Sequence, residues 1–487
     1  MIKPRQKKRA GAKPPAAARA PFSWRRVSGG FLITNDFGHH ALLGPAAFQS
    51  FAAGKNIQKG PLDKDLAAKG FFGDRLDLDG LTARLRGRAA HLFAGPSLHI
   101  MVLTTRCNQT CVYCQAGASR GAAGAGDMSW NTARKCVDFA FQSPAPSITL
   151  EFQGGEPLLN WGVLEKAAGY ARRKAAAAGR KLSVGVVSNF SLMTAQKADF
   201  LLDNEVSVCT SLDGPASLHD RNRPFSGGSS HAAVVRWLEY FSDRAASRSR
   251  GARYFKPSAL LTVTRRSLAA PEAIADEYVR RGVGDIFIRP LTPIGAAKKA
   301  WGEVGYSAAE FVSFYSRALD HILALNRRGT PLREKLATIL LSKVLGSADP
   351  GYVDLRCPCG AAVGQLAYAV NGDVYTCDEG RMLAAEGDDL FRLGSVLRDG
   401  YKKVVAAPAA RACAAASELH SQPECSRCAY APYCGVCPAY NYSVQGSLWG
   451  SMPSNDRCAL MKGLLDALFK RLARPADREI LEKWAEK

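Results

Sequence analysis

Three cysteines at C-x3-C-x2-C spacing, Cys107, Cys111 and Cys114, follow directly on a strand-like run and so gather three thiols on one short loop. Soft thiolates suit iron–sulfur centres, and a [4Fe–4S] cube has four irons to ligate. Three cysteines leave one corner without a protein ligand. An open coordination position marks a reactive metal centre rather than a structural one. A zinc loop or three structural cysteines are the plainer alternatives. The chain has fourteen cysteines, and eleven fall at short spacings: the first three, then Cys357, Cys359, Cys377, Cys425, Cys428, Cys434, Cys437 and Cys458. In a long chain whose basic N-terminus carries no apolar segment, such clusters point to metal rather than disulfides. Cys136, Cys209 and Cys413 are left over, the first two on a helix-like and a strand-like run as apolar residues.

The order of elements around this loop predicts an α/β fold. Strand-like runs at Ser97–Thr105, Ser147–Gly155, Leu182–Phe190, Val206–Gly214, Phe255–Arg266 and Asp285–Thr292 alternate with helix-like stretches near Trp130–Gln142, Trp161–Gly179, Ala195–Asn204, His231–Ala246 and Pro271–Gly282. Six such units argue for a parallel sheet with helices outside, closing as a partial (β/α)6 barrel over residues 96–330, with active residues at strand C-terminal ends. Before it, residues 22–92 read as a small unit: strands 31–34 and 40–43, then helices 46–53 and 62–70. Residues 1–20 carry seven Lys/Arg and no acid, a disordered basic arm. After the barrel, residues 350–465 are rich in Cys, Gly and Pro, a last helix covers Ala459–Ala473, and 466–487 read as a polar tail. The +22 charge, 65 Lys/Arg against 43 Asp/Glu, raises nucleic acid as a partner, but no helix-turn-helix, finger or RNP pattern accompanies it, so it is set aside. No apolar run is long enough for a membrane-spanning helix, and a cytoplasmic location is expected.

The strand ends carry the other site candidates. Gln153-Gly154-Gly155-Glu156-Pro157 closes strand two; its glycines permit close backbone approach to a ligand, and Glu156 offers an acceptor for an ammonium group. Ser188-Asn189 closes strand three, Ser211-Leu-Asp213 strand four, and Arg289 strand six. These offer hydroxyl, amide, carboxylate and guanidinium groups to a ribose, a carboxylate or a substrate. A structural role competes with a ligand role at each of the last.

The cysteine loop, with Tyr113 before its third cysteine, and the Gly-Gly-Glu-Pro run resemble the radical SAM superfamily. That resemblance implies a [4Fe–4S] cluster with an open iron, which takes the amino and carboxylate groups of S-adenosylmethionine. Reductive cleavage then gives methionine and a 5′-deoxyadenosyl radical that removes a substrate hydrogen. It also implies cofactor contacts from Tyr113, Gly154, Gly155, Glu156, Ser188, Asn189, Ser211 and Arg289. Asp213 is the candidate catalytic base. The later cysteines resemble the SPASM extension with two auxiliary [4Fe–4S] clusters, although the last short gap holds two residues where the family has three. The family's interleaved wiring assigns Cys357, Cys359, Cys377 and Cys437 to one cube and Cys425, Cys428, Cys434 and Cys458 to the other; a pair of zinc sites is the competing reading. Residues 22–92 resemble a PqqD-like winged helix that binds peptide leaders; a plain cap on the barrel is the alternative.

Phe152-Gln-Gly-Gly-Glu-Pro-Leu-Leu-Asn160, Ser211-Leu-Asp-Gly-Pro215, Leu218-His219, Asn222-Arg223, Gly351-Tyr-Val-Asp-Leu355 and Asp378-Glu-Gly-Arg-Met382 make the whole chain similar to the B-type radical SAM maturase of the His-Xaa-Ser peptide system. What this implies is modification, by oxidative crosslinking, of a small ribosomal precursor peptide. The implied partners are a flavodoxin- or ferredoxin-type electron donor and a second radical SAM maturase. Two alternatives stand beside it: a sulfatase-maturing enzyme that oxidises Cys or Ser to formylglycine, and a non-catalytic metal-containing module that binds peptide or RNA.

Overall fold

The computed structural model describes residues 19–55, 60–118, 126–247 and 256–486. Its centre is a ten-stranded sheet. We number the strands along the chain: a small N-terminal sheet holds β1 (Ser23–Val27), β2 (Gly30–Thr34) and β3 (His40–Leu43), and the large sheet holds β4 (Leu98–Val102), β5 (Ser147–Gln153), β6 (Lys181–Val187), β7 (Val206–Ser211), β8 (Ser258–Thr262), β9 (Asp285–Arg289), β10 (Arg333–Glu334), β11 (Gln365–Tyr368), β12 (Asp373–Tyr375) and β13 (Arg392–Ser395). The order is β10-β9-β8-β7-β6-β5-β4-β11-β12-β13. Strands β4 to β10 are all parallel, so every C-terminal end opens on one rim. The sheet does not close, as expected of a partial barrel. Apolar residues alternate along these strands, as with Ile148, Leu150 and Phe152 in β5 or Ile286 and Ile288 in β9, and are essentially without solvent exposure, while the residues between them are half-buried.

Each of the six expected units is present, and the expected strands run two to four residues past the observed ends. The overrun residues, among them Gly154, Gly155, Ser188, Asn189 and Asp213, leave the sheet and line its rim. The start of the Phe255–Arg266 run lies outside the described residues, as do residues 1–18 of the basic arm.

The cysteine-rich part is joined to the barrel through its main chain. β11 pairs parallel with β4, Gln365 to Leu98 and Tyr368 to Met101, and β12 and β13 continue the sheet antiparallel. The N-terminal unit has the two expected strands and, ahead of them, β1; a third helix, Leu78–Arg88, follows the expected two. Phe48, Phe51, Leu66, Phe71 and Phe72 fill its small core. It is docked on the C-terminal part: Arg25 donates to Asp466 at 2.9 and 2.6 Å, and Thr34 Oγ1 donates to the Ala429 carbonyl at 2.9 Å.

The expected tail at 466–487 is corrected. Residues 466–472 complete the helix Asp456–Leu472, which packs on the helix Ala308–Arg327, and a further helix, Pro475–Ala485, packs on Lys335–Leu345. Leu481 is fully buried and Trp484 is 6% exposed. Their i, i+3 spacing builds an apolar stripe inside a segment whose charges read as polar. Trp484→Ala is therefore expected to cost about 3 kcal/mol, within the range for emptying a core aromatic site. Chemical denaturation of the full chain measures it, and an unchanged midpoint would restore the tail.

Candidate active site

The loop after β4 is fastened on three sides. Toward β5, the Gly155 and Glu156 N–H groups donate to the carbonyls of Thr104 and Arg106 at 2.9 and 2.8 Å. A Cβ on Gly154 would stand 2.4 Å from the Thr104 carbonyl oxygen. One on Gly155 would stand 2.2 Å from that of Arg106 and 2.9 Å from the Cys107 Cβ. The paired glycines thus let two backbones meet at the cysteine loop itself. Toward the segment after β7, Val112 N donates to the Asn222 carbonyl at 2.9 Å and Thr110 N to that of Pro224 at 3.0 Å. Beyond β9, Ala296 N donates to the Cys114 carbonyl at 2.8 Å.

Glu156 lies under this loop with no solvent exposure. Its carboxylate accepts from Leu158 N at 3.0 Å, Ser188 Oγ at 2.8 Å and Asn189 N at 2.8 Å. Burial pushes it up to about 6, against the pull of those hydrogen bonds. Three of about four acceptor directions are therefore used by the protein. Asn189 extends the link: its Nδ2 meets Asn108 Oδ1 at 3.2 Å and Cys107 Sγ at 3.9 Å. The chain then turns through Phe190 at φ +64°, a left-handed conformation that a bulky residue rarely takes. Ser211 closes β7 and is buried.

Asp213, the expected catalytic base, sits in a buried ion pair. It has no solvent exposure, and its Oδ2 accepts from Tyr113 Oη at 2.7 Å, Arg223 Nε at 3.2 Å and Asn222 Nδ2 at 3.4 Å. Its own N–H donates to His219 Nδ1 at 3.2 Å, an imidazole that burial pushes down to about 4 and so keeps neutral. Three donors of the chain itself thus engage Oδ2 of Asp213, and Arg223 forms a buried ion pair with it. Arg223 also lies 5.2 Å over the Tyr113 ring and reaches Cys111 Sγ at 3.9 Å. Burial opposes its charge, but Asp213, Tyr113 and Cys111 hold it. Arg223, Asn222 and His219 had no assigned role in the sequence, although all three stand in the run that carries the resemblance.

The residues fit an iron–sulfur centre. Burial pushes Cys107 up to about 11 and Cys111 up to about 12, so these thiols ionise where a metal centre takes up the charge. Gln109 Nε2 and Asp213 Oδ1, both buried beside them, are without a hydrogen-bond partner among the described residues. All fourteen cysteines are free thiols. Among the described residues no three His, Cys, Asp or Glu side chains converge on a single metal ion.

The C-terminal cysteines form two groups. Cys425, Cys428, Cys434 and Cys458, the set assigned to the second auxiliary cube, line one cavity together with Cys437. Cys359, Cys377 and Cys437 line another, but Cys357 does not join them, and Cys413 does. Arg289 stands between the barrel rim and this region, in a cavity it shares with Asp354, Glu379, Tyr440, Arg457 and Cys437. Burial works against its charge; Tyr352, Asp354 and Glu379 favour it and raise its pKa.

Residues 101–248 match the model of the radical SAM superfamily. This stretch is a radical SAM domain. An uncharacterized protein of Archaeoglobus fulgidus is 23% identical over 383 residues, 78% of this chain and 82% of that protein. A second uncharacterized relative, from Methanocaldococcus jannaschii, is 29% identical over 129 residues, 26% of this chain; the match spans 42% of that relative's length. The radical SAM cyclopropyl synthase TigE of Paramaledivibacter caminithermalis is 22% identical over 132 residues, 24% of this chain and 27% of that protein. Among solved structures, anSMEcpe with bound AdoMet superposes at a TM-score of 0.65 with 20% identity, covering 78% of this chain and 99% of that one. Streptococcus suis SuiB bound to the precursor peptide SuiA superposes at 0.54 with 12% identity, covering 91% and 100%. The radical SAM domain and the parts that follow it therefore share their fold with both. Among the described residues no helix is long and apolar enough to cross a membrane.

Two substitutions test the site. Arg223→Met leaves Asp213 buried with its charge uncompensated and is expected to cost about 3–5 kcal/mol, most of it recovered in Arg223→Met/Asp213→Leu; denaturation of the metal-free chain measures both. Gly155→Ala drives a methyl group into Arg106 and Cys107 and is expected to reduce the iron retained by the first loop after anaerobic reconstitution, read by iron and sulfide analysis.

Proposed function

We propose that the protein is a radical SAM maturase that oxidatively modifies a ribosomally made peptide of the His-Xaa-Ser type. The observation that carries the reading is the three-thiol loop, Cys107, Cys111 and Cys114, at the C-terminal end of the first barrel strand and pinned there by Gly155 and Glu156. Bound at this loop, a [4Fe–4S] cluster and S-adenosylmethionine supply reductive cleavage to a 5′-deoxyadenosyl radical and hydrogen abstraction from the substrate. The chain's own residues position and shield. Cys107, Cys111 and Cys114 hold three corners of the cube, and Tyr113 and Arg223 wall it on the β7 side. The Gly154-Gly155 backbone, the free acceptor direction of Glu156, and Ser188, Asn189 and Ser211 face the nucleotide. Arg289, which shares a cavity with Asp354 and Glu379, faces the substrate on the side of the auxiliary thiols, which would hold two further clusters able to take up the surplus electron.

The peptide substrate is supported by the resemblance over the whole chain and by the likeness to SuiB, whose structure holds the precursor peptide SuiA. The N-terminal unit suits the leader: β1 and β3 are the outer strands of its sheet, and an extended peptide adds to such an edge. A flavodoxin- or ferredoxin-type donor and a second maturase complete the system, in the reducing cytoplasm that clustered thiols need. The likeness to anSMEcpe, solved also with the Cp18Cys peptide at a TM-score of 0.65, favours a second reading, oxidation of a Cys or Ser in a sulfatase.

Anaerobically reconstituted and reduced, the full chain is expected to hold about twelve irons and to release 5′-deoxyadenosine from S-adenosylmethionine. Cys107→Ala, Cys111→Ala and Cys114→Ala each abolish that release. Mass spectrometry of a co-expressed His-Xaa-Ser peptide should show loss of two hydrogens per event; an unchanged peptide together with a modified sulfatase Cys or Ser would select the second reading.

A further inference from the structure

We propose that Cys413, and not Cys357, is the fourth thiolate of the first auxiliary centre, whose iron–sulfur cluster is held by Cys359, Cys377, Cys413 and Cys437. The proposal rests on the radical SAM maturase reading and changes the ligand set that the family's wiring implies. Four separate segments bring these thiols together. Cys359 sits in the loop before β11. Cys377 caps the helix Asp378–Ala385, and Cys437 caps the helix Pro438–Gln445; Cys413 lies inside the helix Pro408–Ala416. The four are 4%, 4%, 1% and 7% exposed in the order Cys359, Cys377, Cys413, Cys437, and they line one cavity and pack in one cluster.

The surroundings are those of thiolate ligands. Gly380 N donates to Cys377 Sγ at 3.3 Å and Tyr440 N donates to Cys437 Sγ at 3.4 Å, so two of the sulfurs take peptide N–H groups at helix N-termini, where negative charge is favoured. Cys413 is tied into the set by Ser417, whose hydroxyl accepts from Cys359 N at 2.8 Å and donates to the Cys413 carbonyl at 2.6 Å. This one side chain fixes the spacing between the loop of Cys359 and the helix of Cys413.

Cys357 faces elsewhere. Its Sγ lies 3.5 Å from Glu418 Oε1 and accepts from Leu419 N at 3.4 Å. It packs against Leu419, Val436 and Met452, as Cys425, Cys434 and Cys458 do, and does not line the four-thiol cavity.

The test uses the full chain carrying Cys107→Ala, Cys111→Ala and Cys114→Ala, reconstituted without air, so that iron and sulfide report the auxiliary clusters alone, about eight irons. Adding Cys413→Ala or Cys413→Ser is expected to halve the iron, or to keep it while opening one iron to added imidazole, seen as a shift of the reduced cluster's EPR signal. Adding Cys357→Ala is expected to change neither. Circular dichroism confirms that each variant is folded, and Cys413→Ser, nearly isosteric, serves if the alanine variant is not. Loss of iron or an imidazole-sensitive signal in Cys357→Ala with none in the Cys413 variants overturns the assignment, as does no change in any of them. A parent variant that binds no iron and sulfide overturns the auxiliary-cluster reading together with it.

Discussion

One buried guanidinium holds the rim of the sheet in order. Arg223 meets Asp213, the face of Tyr113 and the sulfur of Cys111, so a single cation joins the end of β7 to the cysteine loop after β4. A charge with 9% side-chain exposure is tolerable where its partners are themselves negative or π-rich. The pair is therefore coupled to the chemistry of the loop. The same guanidinium that pairs with Asp213 also sets a positive charge beside the sulfur of Cys111.

A second frame runs through main chain rather than side chains. Gly154 and Gly155 bring β5 into contact with the cysteine loop, and Glu156 carries the connection to Ser188 and Asn189 on the next strand. Three adjacent strand ends are thus locked in register by hydrogen bonds that do not depend on any bound group. Polar groups buried with their partners satisfied rigidify a site, and this one is prepared before a ligand arrives.

Much of this was legible before the structure. The six barrel strands read clearly because short runs rich in apolar residues recur between helix-length stretches. Their ends did not, since Ser188, Asn189 and Phe190 keep strand-like composition while the backbone turns away through a positive φ. The thiols of the first loop follow from spacing alone. The setting of Asp213 was not legible because its partner Arg223 stands ten residues on, and their contact exists only once the segment after β7 folds back over the loop. Cys413 was passed over for a different reason: Pro-Ala-Ala-Arg-Ala-Cys-Ala-Ala-Ala has no second cysteine at short spacing and reads as an apolar helix. The last helix was hidden by charge, with Leu481 and Trp484 set among acidic and basic neighbours.

The pairing of β11 with β4 bears on the order of biosynthesis. β4 ends at Val102 and β11 begins at Gln365, so roughly 260 residues must leave the ribosome before the outer edge of β4 finds its neighbour. At about 5–20 residues per second that interval is on the order of ten seconds to a minute. Throughout it, a strand rich in buried apolar residues presents an unpaired ladder, the template on which nascent chains stick to one another. The cysteine-rich segment is thus the late-arriving cover of that edge.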